Sequence, residues 1–134
     1  MSTDEERTIT DDANDAYDIV KNMCHSLPVN APAPLVYSVL GNLKLASGYM
    51  MRDLLAGMVS GMSRSLIDFD NYVWGDDDAS PAEAIAKANA HLETAIRLAA
   101  QLGDELSSAQ AEISMVGYRT PGDVGYRKPE ERHG

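Results

Sequence analysis

The chain has 134 residues, of which 44% are hydrophobic and 24% charged, enough for one small domain with a modest core. Its 21 acidic and 11 basic side chains leave a formal charge of −10. A field of that sign argues against gripping nucleic-acid phosphates and against adsorption on an anionic membrane face.

The N-terminal sequence, Met1-Ser2-Thr3-Asp4-Glu5-Glu6, has neither the basic nor the apolar stretch of a secretory leader. Residues 1–18 carry seven acids against Arg7, a local charge of −6, and residues 1–11 read as a disordered acidic arm. From Asp12 the apolar residues Ala16, Ile19, Val20, Met23 and Cys24 recur at helical spacing, which predicts a short helix over about 12–25. Asp11 or Asp12 is the expected cap. Cys24 is the single cysteine, so no intrachain disulfide forms, and a cytoplasmic location is the mild expectation. Pro28, Pro32 and Pro34 then make a stiff linker.

Pro34 suits a first helical turn, and a long helix is expected to about Leu66. Its predicted buried stripe is Val36, Leu40, Leu43, Ser47, Met50, Leu54, Gly57 and Gly61, with Met51, Leu55, Met58, Met62 and Leu66 beside it. Gly41, Gly48, Gly57 and Gly61 all fall inside this helix, at about 0.8–1 kcal/mol each relative to Ala. Close backbone approach is the expected offset, and a kink near Gly48 the alternative. The stretch Leu45–Met62 is the most membrane-like, but Arg52 and Asp53 in its middle make it a buried soluble helix.

Residues 68–78 form the connection, whose aromatic residues Phe69, Tyr72 and Trp74 are expected to fold back over the helix ends. Ser80-Pro81-Ala82-Glu83 is a strong helix start, a capping box with Pro in the first turn. The last helix is expected to run to Val116 before Gly117, about 54 Å at 1.5 Å per residue. It carries two rows at spacing seven: Ile85, Leu92, Ala99, Leu106, Ile113, and Ala88, Ala95, Leu102, Ala109, Val116. All ten are apolar, the pattern of left-handed coiled-coil packing. Residues 118–134 read as a flexible tail.

The expected fold is therefore all-α, a long antiparallel hairpin of about 34–66 and 81–116 with the helix 12–25 packed on it. The range 12–117 is grouped as one helical domain. The seam is expected to set Leu92, Leu102, Leu106 and Ile113 against Leu43, Met50, Leu54 and Gly57.

Catalytic signatures are missing. There is no phosphate-binding loop, nucleophile elbow, HExxH, CxxC or calcium-loop pattern; in a calcium loop starting at Asp68 the acid needed at position 12 is Ala79. Cys24 and His25 are adjacent, about 100° apart on a helix, and so are not a nucleophile–base pair. No catalytic, cofactor-binding or metal-binding residue is assigned. The candidate interaction face is Met50, Met51, Leu55, Met58, Met62 and Trp74, methionine being an adaptable contact residue.

Two resemblances stand beside this reading. The run Leu27 to Leu43, and the Ala-rich last helix ending in Gly117-Tyr118-Arg119, resemble small helical actinobacterial proteins from mobile elements. That resemblance implies an all-helical fold and no assigned activity. Trp74-Gly75 at the turn, with Tyr126 and Glu130 in the tail, is similar to WXG100-type secreted helical hairpins. Here, however, no residue separates the Trp and Gly, and Tyr49/Asp53 and Tyr72/Asp76 match the tail signal equally well. The leading functional expectation is a non-catalytic interaction or assembly protein, with a protein partner or a homo-oligomer and no direct nucleic-acid or membrane contact. The alternatives are an acidic decoy of a basic nucleic-acid-binding protein and a WXG100-like secretion substrate.

Overall fold

The computed structural model describes residues 6–131, which are helical or irregular with no strand among them. The chain divides into two compact units at Ala31–Pro32, in the proline linker and inside the range 12–117 that the periodicity groups together.

The first unit holds helix α1, Ile9–Ser26. It begins three residues before the expected start because Thr8, not Asp11 or Asp12, is the cap. The Thr8 hydroxyl accepts from the Asp11 N–H at 3.1 Å, and the Asp11 carboxylate accepts from the Thr8 N–H at 3.0 Å. Two otherwise orphaned amide donors are thus satisfied reciprocally. Ile9–Asp11 are therefore helix rather than arm, whereas residues 1–5 of the expected arm lie outside the described residues. Arg7 folds onto the new first turn and pairs with Asp12 and Asp15. The helix stops at Leu27, just ahead of Pro28, with the Leu27 N–H donating to the Met23 carbonyl. Ile19 and Val20 of its apolar set are exposed.

The second unit is built from two rods. The first is helical without a break but not uniform: α2 (Ala33–Leu43) passes through one π-helical segment (Lys44–Tyr49) into α3 (Met50–Asp68). The second rod is α4, Pro81–Glu112, about 48 Å long. Bonds between the rods connect Tyr37 and Lys44 to Gln110, Tyr49 to Asp104, and Ser63 to Asn89. As one number rises the other falls, so the rods are antiparallel.

At the start of α4 the Ser80 hydroxyl accepts from the Glu83 N–H at 3.2 Å, as the sequence pattern requires. The Glu83 carboxylate reaches forward to Lys87 instead of closing the box. The helix ends at Glu112, short of Val116, because Ile113 leaves helical geometry and successive turns follow (Ser114 N–H to Ala111 O, Val116 N–H to Ile113 O). In the connection, Phe69, Tyr72 and Trp74 do not fold back over the rod ends; all three are exposed. The turn is held instead by Asn71, which donates to the Ser65 and Phe69 carbonyls, and by Gly75, whose φ of +80° only glycine adopts readily. After α4, Asp123 accepts from the Thr120 N–H and hydroxyl, and a short 3₁₀ turn closes Pro129–Glu131. No described helix is long and apolar enough to cross a membrane.

Candidate functional site

The seam is where the sequence pattern and the structure can be compared residue by residue. On α4 the row Ile85, Leu92, Ala99, Leu106 and Ile113 is half-buried or buried throughout. The second row holds at Ala88 and Ala95, then departs: Leu102, Ala109 and Val116 are exposed, and Ile96, Gly103, Ser107 and Gln110 take the inward positions. A straight helix drifts about 20° per heptad from a strict seven-residue repeat, which turns Leu102 and Ala109 out, while Val116 lies beyond the end of α4.

On the facing rod the change is abrupt. Val36, Leu40, Leu43 and Ser47 face inward, as expected. Below them the inward residues are Gly48, Arg52, Leu55, Val59, Met62 and Leu66, while Met50, Leu54, Gly57 and Gly61 are exposed. The expected stripe is displaced by one or two residues. The π segment is the cause, since its i→i+5 bonding takes up an extra residue and turns everything downstream by about 100°.

The π segment marks the closest approach of the rods. A Cβ built on Gly48 would lie 2.4 Å from the Gly103 Cα, and one built on Gly103 would lie 2.8 Å from the Tyr49 ring. Backbone meets backbone, with Tyr49 folded over the crossing. The Tyr49 hydroxyl donates to the Asp104 carboxylate at 2.7 Å, and Arg52 stacks over the Tyr49 ring at 5.5 Å. One turn away Lys44 donates to the Gln110 side-chain oxygen at 2.8 Å, and the Gln110 amide donates to the Tyr37 carbonyl at 3.1 Å.

The hydrogen bond to Asp104 raises the Tyr49 pKa above its ordinary 10.0; burial and the Asp104 charge add to the rise, and Arg52 opposes it. A raised folded-state pKa means that the bond contributes fully below the ordinary tyrosine range and is lost as pH climbs through the folded value. In a tyrosinate absorbance titration, one tyrosine of the six is expected to ionise after the others, and Tyr49→Phe should remove that late step. A Tyr49→Phe protein that keeps it would show that the hydrogen bond does not persist in solution.

The two sides of the hairpin differ in character, and helix handedness shows how. In a right-handed helix, residues just before and just after a seam position turn out to opposite sides. Because the rods are antiparallel, the preceding residues of both rods share one side and the following residues share the other. The bonds agree: Tyr49–Asp104 and Ser63–Asn89 join residues that follow Gly48, Gly103, Met62 and Ala88. That following side also carries Asp53, Glu93 and Arg97. On the preceding side, α3 presents Met51, Leu54, Met58 and Gly61, and α4 presents His91, Leu98, Leu102 and Glu105. Leu54, Leu98 and Leu102 are 43%, 59% and 43% exposed. With Gly48 opposite Gly103 and Ser63 opposite Asn89, Leu54 stands level with Leu98, and Met51 nearly level with Leu102.

Of the six candidate face residues, Met51 and Met58 lie on this neutral side and Met50 faces away from the seam. Leu55 and Met62 are in the seam, and Trp74 is in the connection, exposed. Leu98 and Leu102 are the additions that periodicity missed. Leu102 sits in a seam row, and Leu98 lies outside both rows of sevens.

Elsewhere the chemistry is sparse. Cys24 is exposed on α1, next to His25. Among the described residues no group of three His, Cys, Asp or Glu side chains could hold a metal ion. The acidic connection is used locally: the Asp76 carboxylate accepts from the Asp78 N–H at 3.1 Å. No family model matches the chain, and no curated protein or solved structure compared with it gives a match.

Proposed function

We propose that the chain is a non-catalytic helical interaction module whose second unit binds protein through the neutral side of its hairpin. The observation that carries this reading is the row Met51, Leu54 and Met58 beside Leu98 and Leu102, large apolar side chains left in water with no charged residue among them. Exposed contiguous apolar surface of this kind marks association sites. The burial pattern supports the same reading. Among the described residues only Gly48, Ala99 and Gly103 are buried, and no large side chain is fully enclosed. Two rods form a single layer, whereas a helical domain buries its apolar stripes between layers.

The fold that goes with this reading is a long antiparallel hairpin accompanied by a short N-terminal helix. A cytoplasmic location goes with it as well, resting on the lone thiol of Cys24. The formal charge of −10 favours a protein partner over nucleic acid or an anionic lipid surface.

A photo-crosslinking residue placed at Leu54, on the neutral side, and at Ser60, on the charged side, tests the reading in cells producing the full chain. Adducts to protein are expected from position 54 and not from position 60. Equal labelling from the two, or none from 54, would overturn it.

A further inference from the structure

We infer that the partner of the neutral side is a second copy of this chain, the two hairpins stacking face to face as a four-helix bundle. This inference rests on the reading above and specifies its partner.

Three observations converge on a copy. The first is incomplete burial. Among the described residues only Gly48, Ala99 and Gly103 are buried, and Met51, Leu54, Met58, Leu98 and Leu102 on one side of the hairpin stay exposed.

The second is charge. On a chain of formal charge −10, a copy can approach closely only where acids are few. The α3 row of the neutral side has no ionised residue from Ser47 to Ser65, and the α4 row facing the same stretch carries only Lys87 and Glu105, one of each sign, at its two ends. The opposite side carries Asp53, Glu93 and Asp104 against Arg97, so stacking there would bring an excess of acids together.

The third is self-complementarity. A closed dimer must use the same patch on both subunits. A two-fold axis lying along the hairpin places the α3 row of each copy over the α4 row of the other. Met51, Leu54 and Met58 then meet Leu98 and Leu102 twice over, flexible thioethers against branched leucines. Every pair of adjacent rods is antiparallel in that arrangement, the usual topology of a four-helix bundle. The second layer that one hairpin lacks is supplied by a hairpin of the same length.

The test is the mass of the full-length protein, measured by light scattering and sedimentation over a concentration series. Twice 14.5 kDa is expected for the native chain. Leu54→Glu combined with Leu98→Glu should give the monomer mass with helix content retained, while Ser60→Glu keeps the dimer. Should the double glutamate variant fail to fold, Leu54→Ala and Leu98→Ala decide, each expected to raise the monomer–dimer midpoint concentration about tenfold. A monomer at every concentration, or a dimer whose midpoint these alanines leave unmoved, overturns the inference. The crosslink at position 54 separates the two levels of the argument: adducts only to other proteins sink the second copy and leave the interaction module standing, and no adduct sinks both.

Discussion

Replacing Gly48 by Ala is expected to destabilise the hairpin by about 1–3 kcal/mol, although alanine is the better helix former. At an exposed helical site the same exchange stabilises by about 0.8–1 kcal/mol, since glycine loses more backbone freedom on folding. At Gly48 that gain is outweighed. The new methyl would sit 2.4 Å from the Gly103 Cα and 2.8 Å from its N, and no side-chain rotation relieves a clash with backbone. The rods would have to part at their closest point, with loss of the flanking Tyr49–Asp104 and Lys44–Gln110 bonds. Gly103→Ala should cost less, since its methyl meets three side-chain atoms of the Tyr49 ring at 2.8 to 3.0 Å and the ring can move aside at the expense of the Tyr49–Asp104 bond. Gly57→Ala is the control: nothing lies within 4 Å of its Cβ position, and it should raise the melting temperature. Thermal and denaturant melts followed by circular dichroism give the comparison. A Gly48→Ala protein as stable as Gly57→Ala would mean that the rods are not in backbone contact.

Leu106→Ala and Leu92→Ala are each expected to cost about 2 kcal/mol, the lower end of the range for leucine truncation. Both leucines lie in the α4 row that stays inward along the whole rod, but both are half-buried. A side chain that keeps part of its surface in water gives up less transfer free energy, and the neighbouring space is open enough to leave no closed cavity. Leu102→Ala, one step outside the seam at 43% exposure, should cost less than either in the isolated hairpin. Melts of the three variants in dilute solution check the order. Leu102→Ala as costly as Leu106→Ala would place the strict seven-residue rows, and not the drifting seam, at the contact.

The residues behind these two expectations differ in how far local sequence determines their placement. Helix starts were legible where a cap is local: Ser80-Pro81 opens α4 as written, because the bond from Glu83 to Ser80 closes within one turn. The first apolar spacing points to a start near Asp12, whereas α1 begins at Ile9 because Thr8 with Asp11 forms the same kind of box under another spelling. The Ile85–Ile113 row was legible too, since five apolar residues at spacing seven can share a face only on a helix in contact with another. The π segment was legible only as a place. Gly48 marks where the rod could depart from a straight helix, but nothing in Lys44-Leu45-Ala46-Ser47-Gly48-Tyr49 specifies i→i+5 bonding, and a period carried through it points Met50, Leu54, Gly57 and Gly61 inward.

Local composition and periodicity were enough to decide that this chain is helical, where α4 begins and that α1 ends before Pro28. Those outcomes depend on propensities, caps and spacings acting within a turn or two of the residues concerned. Only the folded hairpin decided which residues the first rod turns to water. Bringing Gly48 against Gly103 absorbs one residue into a wider turn, and that rotation of about 100° is set by a contact 55 positions away along the chain. It moves Arg52, Leu55 and Val59 into the seam and leaves Met51, Leu54 and Met58 outside, beside Leu98 and Leu102.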